Sequence, residues 1–261
     1  MSERDNTALV EFREVSYVVP AVSVPIIDRL DLTVRRGETL VLLGESGCGK
    51  TTTLKFINRL LVPSAGKVLV DGKPTTEWDP IRLRRQTGYV IQEGGLFPHF
   101  TVAENVALVP RLERWDETRI HSRTEELLSL VGLEPSQFRQ RYPHQLSGGQ
   151  RQRVGVARAL AAEPPMLLLD EPFGALDPLT RADLQREFAA LTQRLNKTAL
   201  FVTHDVREAL LLGSRIGLMH KGRLLELQAP ETFLKSTEPH VRAYLDTLDL
   251  AEATQPSRRN R

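Results

Sequence analysis

One cysteine, Cys48, stands in 261 residues, so no disulfide can close within the chain. That excludes the small disulfide-stapled class and fits a reducing compartment. Long apolar runs are also missing. A spanning helix needs about 20 mostly apolar residues, and every apolar stretch here is cut, by Pro20 and Pro25, by Arg158, or by Pro164 and Pro165. The first ten residues, MSERDNTALV, carry charge and no apolar block, which predicts no signal peptide. Charge of one sign is lacking too: 35 Lys and Arg against 33 Asp and Glu leave +2. Such a balance gives no global field for nucleic acid or lipid headgroups. Aromatics are 6% of the chain, and no basic patch is interleaved with them. The basic run RLRRQ at 82–86 reads as a solvated helix face. These absences predict a cytoplasmic chain that reaches a membrane only through a partner.

What is present is a globular composition, 41% apolar and 26% charged, long enough for one sizeable core. Residues 9–19 alternate apolar and polar, the pattern of a strand with one wet face. Residues 30–44 read as strand, turn at Arg36 and Gly37, and strand; TLVLL at 39–43 is continuously apolar and so buried on both faces. A short strand with an Asp-Gly turn occupies 66–73, and another strand 87–92. From about 98 to 162 apolar residues recur at helical spacing, which marks an inserted helical subdomain. Strands follow at 166–170, 198–204 and 214–228, with helices at 178–195 and 206–212 between them. Buried strands alternating with helices predict an α/β fold around a mainly parallel sheet. One domain over 1–248 and a polar, disordered tail over 249–261 complete the expected organisation.

GESGCGKT at 44–51 fits G-x-x-x-x-G-K-[ST], between a buried strand and a helix-like stretch, which is the context that the motif requires. Gly44, Glu45, Ser46, Gly47, Cys48 and Gly49 would turn backbone N–H groups inward as an anion nest. Lys50 would reach the β- and γ-phosphates, Thr51 would ligate Mg²⁺ through its hydroxyl, and Thr52 continues the helix start. MLLLDEP ends a buried strand in Asp170 and Glu171, on the ligand side of a parallel sheet. Asp170 is expected to orient the Mg²⁺ shell and Glu171 to polarise the attacking water. Gln92 and His204 also close strands. An amide oxygen at Gln92 suits Mg²⁺ or the attacking water, and His204 suits the γ-phosphate, although by position alone a lone histidine reads first as structural.

A second glycine loop, LSGGQ at 146–150, has no apolar strand leading into it. Ser147, Gly148, Gly149 and Gln150 read as a capped helix N-terminus, which is also an anion site.

The ordered set GESGCGKT, Gln92 in YVIQEGGLFPH, LSGGQ, LLLDEP, GALD at 174–177 and His204 in FVTHD resembles the ATP-binding cassette (ABC) ATPases. The resemblance implies a P-loop NTPase (RecA-like) core with an N-terminal antiparallel β subdomain and an inserted α-helical subdomain. It implies ATP and Mg²⁺ as cofactors, with Tyr17 stacking on adenine, although Tyr17 alone reads equally as an ordinary strand aromatic. It implies a head-to-tail homodimer in which the LSGGQ loop of one copy caps the γ-phosphate held by the other, with Asp177 communicating across the interface.

The segment EGGLFPHFTVAENVALVP resembles importer cassettes, where this surface receives a permease helix; Phe97, Pro98, His99 and Phe100 would form the patch, or else pack within the helical block. The strings at 84–115 and 151–178 look most like the glycine betaine, choline and proline (osmoprotectant) importers. Integral membrane permeases and, indirectly, a solute-binding protein are then the partners, and the chain would sit at the cytoplasmic face of the membrane. Many members of that branch carry C-terminal CBS modules; here only a short polar stretch follows Leu248, which leaves ionic-strength sensing in doubt. The alternatives are a soluble ABC ATPase on nucleic acid or ribosomes, which the missing tandem cassette and basic patch disfavour, and a regulatory module without turnover, which Glu171 and His204 disfavour.

Overall fold

The computed structural model describes residues 7–19, 24–92, 95–174, 176–195 and 197–253. Its strands are β1 (Ala8–Tyr17), β2 (Ile27–Arg35), β3 (Thr39–Leu43), β4 (Ala65–Val70), β5 (Lys73–Pro74), β6 (Thr87–Val90), β7 (Met166–Asp170), β8 (Thr198–Thr203), β9 (Arg215–His220) and β10 (Arg223–Gln228). Its helices are α1 (Lys50–Ile57), α2 (Pro80–Arg85), α3 (Val102–Leu112), α4 (Glu117–Leu130), α5 (Pro135–Phe138), α6 (Gly148–Leu160), α7 (Pro178–Leu195), α8 (Val206–Leu212), α9 (Pro230–Phe233) and α10 (Pro239–Ala253).

An antiparallel sheet runs in the order β2-β1-β4-β5, and a six-stranded sheet in the order β10-β9-β3-β8-β7-β6. In the larger sheet β9, β3, β8, β7 and β6 are parallel, and β10 is an antiparallel edge. Two tight turns have the chemistry that their geometry demands. Asp71-Gly72 joins β4 to β5 and Lys221-Gly222 joins β9 to β10, all four residues at positive φ, as a two-residue hairpin requires.

The continuously apolar strands are sandwiched, and their residues sort by parity. Leu40, Leu42, Leu168, Leu200 and Val202 face the antiparallel sheet and α1, in a cluster with Phe12, Leu30 and Phe56. Val41, Leu43, Leu169, Ala199 and Phe201 face the other way, onto Phe173, Phe188, Val154 and Leu160. Alternate burial on both faces is what makes these strands read as unbroken apolar runs. The helices start where side chains can take up free N–H groups: Asp79 before α2, Thr101 with Glu104 at α3, Asp116 before α4, and Asp205 before α8.

Several expected boundaries shift. The strand expected at 9–19 is β1, ending at Tyr17; the strand expected at 87–92 ends at Val90, because the chain leaves the sheet edge there. The backbone of α10 runs through Ala253, into the stretch expected to open the tail; 254–261 lie outside the described residues. α6 packs on α3 and α4 and also on β6, so the helical block is tied to the sheet along that helix.

Candidate functional site

Because β3, β6, β7 and β8 are parallel, the loops that leave their carboxyl ends gather at one edge of the sheet. After β3 comes the glycine loop. Gly44, buried, directly follows the strand; Glu45, Ser46 and Gly47 are exposed, and Cys48, Gly49 and Lys50 are buried. Gly49 has φ 108°, and a Cβ there would stand 2.4 Å from Ile27 Cδ1 and 3.0 Å from the Ile26 carbonyl oxygen. Only glycine meets both conditions. Cys48 serves through its backbone: its N–H donates to Glu45 and its carbonyl accepts from Gly222 N–H, which seats the loop on the β9–β10 turn. Its thiol is buried, and burial pushes the pKa up. Lys50 Nζ donates to the carbonyls of Gly44 (2.7 Å) and Glu45 (2.8 Å), which hold the ammonium inside the loop.

A cavity of about 400 Å³ opens beside this loop, lined by Ile26, Ser46, Gly47, Gly49, Lys50, Thr51, Thr52, Gln92 and Glu171. Thr51 Oγ1 donates to Asp170 Oδ1 at 2.7 Å, and Tyr89 OH donates to Asp170 Oδ2 at 3.2 Å. Burial, then the adjoining carboxylate, push the Tyr89 pKa far up, so the phenol keeps the proton that it donates. Glu171 follows at φ 43°, a left-handed conformation rare for this residue type. Its Oε2 lies 3.2 Å from His204 Nδ1. Gln92 lines the cavity from the loop two residues beyond β6, and His204 follows β8 directly, so neither is on its strand.

Tyr17 stands at the end of β1, packed edge-on against Phe56 with ring centroids 5.4 Å apart. It is not in the cavity lining, but its carbonyl accepts from Ile26 N–H, and Ile26 is. The remaining expected residues stand elsewhere. Ser147 caps α6: its Oγ accepts from Gln150 N–H (3.2 Å), and Gln150 Oε1 accepts from Ser147 N–H (3.0 Å). None of Ser147, Gly148, Gly149 and Gln150 lines the cavity beside Lys50. Ser147 is exposed, while Gly149 is buried so closely on α7 that a Cβ would meet Thr180 Cγ2 at 2.6 Å. A Cβ on Gly148 would touch Leu176, the neighbour of Asp177, so the second glycine loop and the 176–177 loop form one surface. Asp177 is exposed; its Oδ1 accepts from Thr180 N–H, and the hydrogen bonds from Thr180 pull its pKa down.

Two features have no local motif. Tyr89 is one. The other is Glu208, buried at 4% exposure on α8, which accepts from Thr203 Oγ1 and from Gln185 Nε2 of α7. Burial pushes its pKa up. Thr203 directly precedes His204, so this carboxyl links α7 to the base of the His204 loop. Among the described residues no helix is long and apolar enough to cross a membrane.

A family model described as ABC transporter matches residues 27–174. The glycine betaine/carnitine/choline transport ATP-binding protein OpuCA of Bacillus subtilis (strain 168) is 52% identical over 210 residues, covering 80% of this chain and 55% of that protein. The osmoprotectant import ATP-binding protein OsmV of Salmonella typhimurium (strain LT2) is 51% identical over 208 residues, covering 80% and 54%. This chain therefore spans about half the length of these curated relatives. Among solved structures, the dimeric structure of MJ0796, a bacterial ABC transporter cassette, superposes with a TM-score of 0.76 at 33% identity, covering 85% of this chain and 98% of that one.

Proposed function

The chain belongs to the ABC transporter family of ATP-binding cassettes, and from that premise we propose that it is the ATP-hydrolysing subunit of an importer for quaternary-amine osmoprotectants. One observation carries the ATP-hydrolysing part of this reading. Lys50, Thr51, Gln92 and Glu171 converge on one cavity, with His204 against Glu171, while the capped N-terminus at Ser147 faces outward from the same chain. We read this exposed N-terminus as half of a phosphate site offered to a second copy.

The roles we assign are supported by this geometry and by the family's shared arrangement. Lys50 and the N–H groups of the glycine loop bind the phosphates. Thr51 Oγ1 and Asp170 Oδ1, 2.7 Å apart, are two hard oxygen donors at one point, with the Gln92 amide on the same cavity, a set that suits Mg²⁺. Bound there, the ion would neutralise phosphate charge. Glu171 takes the proton of the attacking water, and His204 holds its carboxylate and contacts the γ-phosphate. Ser147 with the N–H groups at Gly148, Gly149 and Gln150 caps the γ-phosphate of the partner copy, and Asp177, on the adjoining surface, meets the partner. Loss of the γ-phosphate on hydrolysis releases that loop and opens the dimer.

The membrane partner is proposed to dock beside this site. A groove of about 300 Å³ is lined by Ile91, Phe97, Leu108, Val109, Arg84 and Arg158. Phe97, Pro98 and His99 are exposed beside it, and Phe100 is half-buried. Buried Asn105 shapes that loop, donating to the carbonyls of Phe97, Phe100 and Thr101 and accepting from Phe97 N–H. A short permease helix with an apolar face fits such a groove. The solute class rests on the likeness to OpuCA and OsmV. Affinity purification of the tagged chain from detergent-solubilised membranes tests the assignment. A multi-span permease should co-purify; ribosomes or DNA in its place would refute the importer reading.

A further inference from the structure

We propose that Tyr89 is the positioning residue for the Asp170 carboxylate, through a contact that no local motif encodes. The parallel register of β6 and β7 pairs Tyr89 with Leu168. Side chains alternate along a strand, so Tyr89, Leu168 and Asp170 share one face of the sheet. The phenol therefore reaches diagonally to Asp170 Oδ2 (3.2 Å), while Thr51 takes Oδ1 (2.7 Å). One donor on each oxygen fixes the carboxylate plane and its rotamer. The ring is half-buried, packed on the cluster that contains Leu168 and Leu200, so the hydroxyl itself is held in place. The same residue lines the groove with Ile91 and Phe97, and so forms part of the wall between the groove and Asp170. The inference rests on reading Asp170 as the carboxylate that carries the metal. Partners that orient a ligating carboxylate typically contribute about 10–100-fold to metal affinity.

Tyr89→Phe removes one O–H and keeps the packed ring. Mn²⁺ is the probe, its binding to the ATP-loaded full chain read by electron paramagnetic resonance, with ATP affinity in EDTA measured beside it. Tyr89→Phe should weaken Mn²⁺ by about tenfold and leave metal-free ATP affinity unchanged. In a cycle with Asp170→Asn, the double variant should bind Mn²⁺ no more weakly than Asp170→Asn alone, because Tyr89 acts through Asp170. Unchanged Mn²⁺ affinity in Tyr89→Phe, equal loss of metal-free ATP affinity, or additive losses in the cycle would each overturn the proposal. If Asp170→Asn itself leaves Mn²⁺ affinity intact, the reading of Asp170 is wrong and both fall. If Asp170→Asn weakens the ion and Tyr89→Phe does not, only the role of Tyr89 falls.

Discussion

His204 Nδ1 stands 3.2 Å from Glu171 Oε2, and the two residues follow neighbouring parallel strands, β8 and β7. Nothing in the chain between them enforces this pairing; strand order does. Glu171 N–H donates to the Val202 carbonyl, and Glu171 is held at φ 43°, a conformation that costs on the order of 1 kcal/mol for a residue with a Cβ. The strained turn and the sheet together fix the carboxylate against the imidazole.

Glu171→Gln should therefore lower ATP turnover by about 10²–10⁴-fold, the usual contribution of a positioned base, and leave ATP binding intact. The variant should accumulate as an ATP-bound dimer on size exclusion. His204→Ala should also lose turnover; its side chain is 60% exposed, so its stability should change by less than about 0.5 kcal/mol. Parent-level hydrolysis in Glu171→Gln would remove this residue from the chemistry.

Two alanine substitutions in the glycine loop should differ sharply. Gly47 and Gly49 both have positive φ, at 80° and 108°. A Cβ at Gly47 meets nothing within 4 Å, so Gly47→Ala carries only the backbone cost of about 1–2 kcal/mol. A Cβ at Gly49 would overlap the Ile27 side chain at 2.4 Å and crowd the Ile26 carbonyl at 3.0 Å. Gly49→Ala should lose affinity for a fluorescent ATP analogue well beyond Gly47→Ala. Equal affinities would mean that the loop gives way easily.

The parts of the site most legible in the sequence are those whose signal is local. The loop at 44–51 announces itself by spacing between a strand and a helix, and α7 and α8 span the 178–195 and 206–212 expected between the strands. Gln92 and His204 were legible as residues at the crevice but not as lying beyond their strands, since nothing in YVIQ or FVTH marks where pairing stops. Tyr89 with Asp170, and Gln185 with Glu208 and Thr203, were not legible, because each contact joins separate elements through the register of the sheet or the packing of helices. α10 did carry a signal: Pro239 at its start, then Val241, Tyr244, Leu245 and Leu248 at helical spacing, which pack onto the core.

Glu208 gives a pH dependence of stability with a definite sign. Burial raises its folded pKa above the ordinary 4.5; Asp205 adds to the rise, and the Thr203 and Gln185 hydrogen bonds and the Arg181 charge oppose it. Between the unfolded and folded values the native state holds the extra proton, so stability falls as pH rises through that window. Glu208→Gln stays neutral throughout. Its oxygen can still accept from Thr203, and Gln185 can turn its amide to accept from the new NH₂ group. Urea titrations from pH 4 to 8 should show the variant gaining on the parent as pH rises. Glu208→Ala, which strips Thr203 and Gln185 of their partner, should lose about 1–3 kcal/mol. A variant that loses ground to the parent as pH rises, or whose difference from the parent does not change with pH, would contradict the assignment.

The outward-facing Ser147 gives the sharpest test of a site shared between two copies. Ser147→Arg places a bulky cation where the partner's γ-phosphate must approach the N-terminus of α6. Within its own chain Ser147 does not line the cavity beside Lys50, so this variant should bind ATP as the parent does, yet neither dimerise nor hydrolyse. Lys50→Ala should instead lose ATP affinity, because a charge-assisted contact to the phosphates is gone. Mixing the two variants should restore partial turnover. One composite site of the heterodimer then combines an intact Lys50 loop with an intact Ser147 loop, while the other site carries both defects. If the Ser147 loop served the nucleotide of its own chain, each variant would be inactive in itself and mixing could restore nothing. The cap also stabilises α6 by about 1 kcal/mol, so the melting temperature of Ser147→Arg is measured first. With the fold intact and heterodimers demonstrated, an inactive mixture would rule out a shared site able to fire alone, and weakened ATP binding by the Ser147→Arg monomer would return the loop to its own chain's nucleotide.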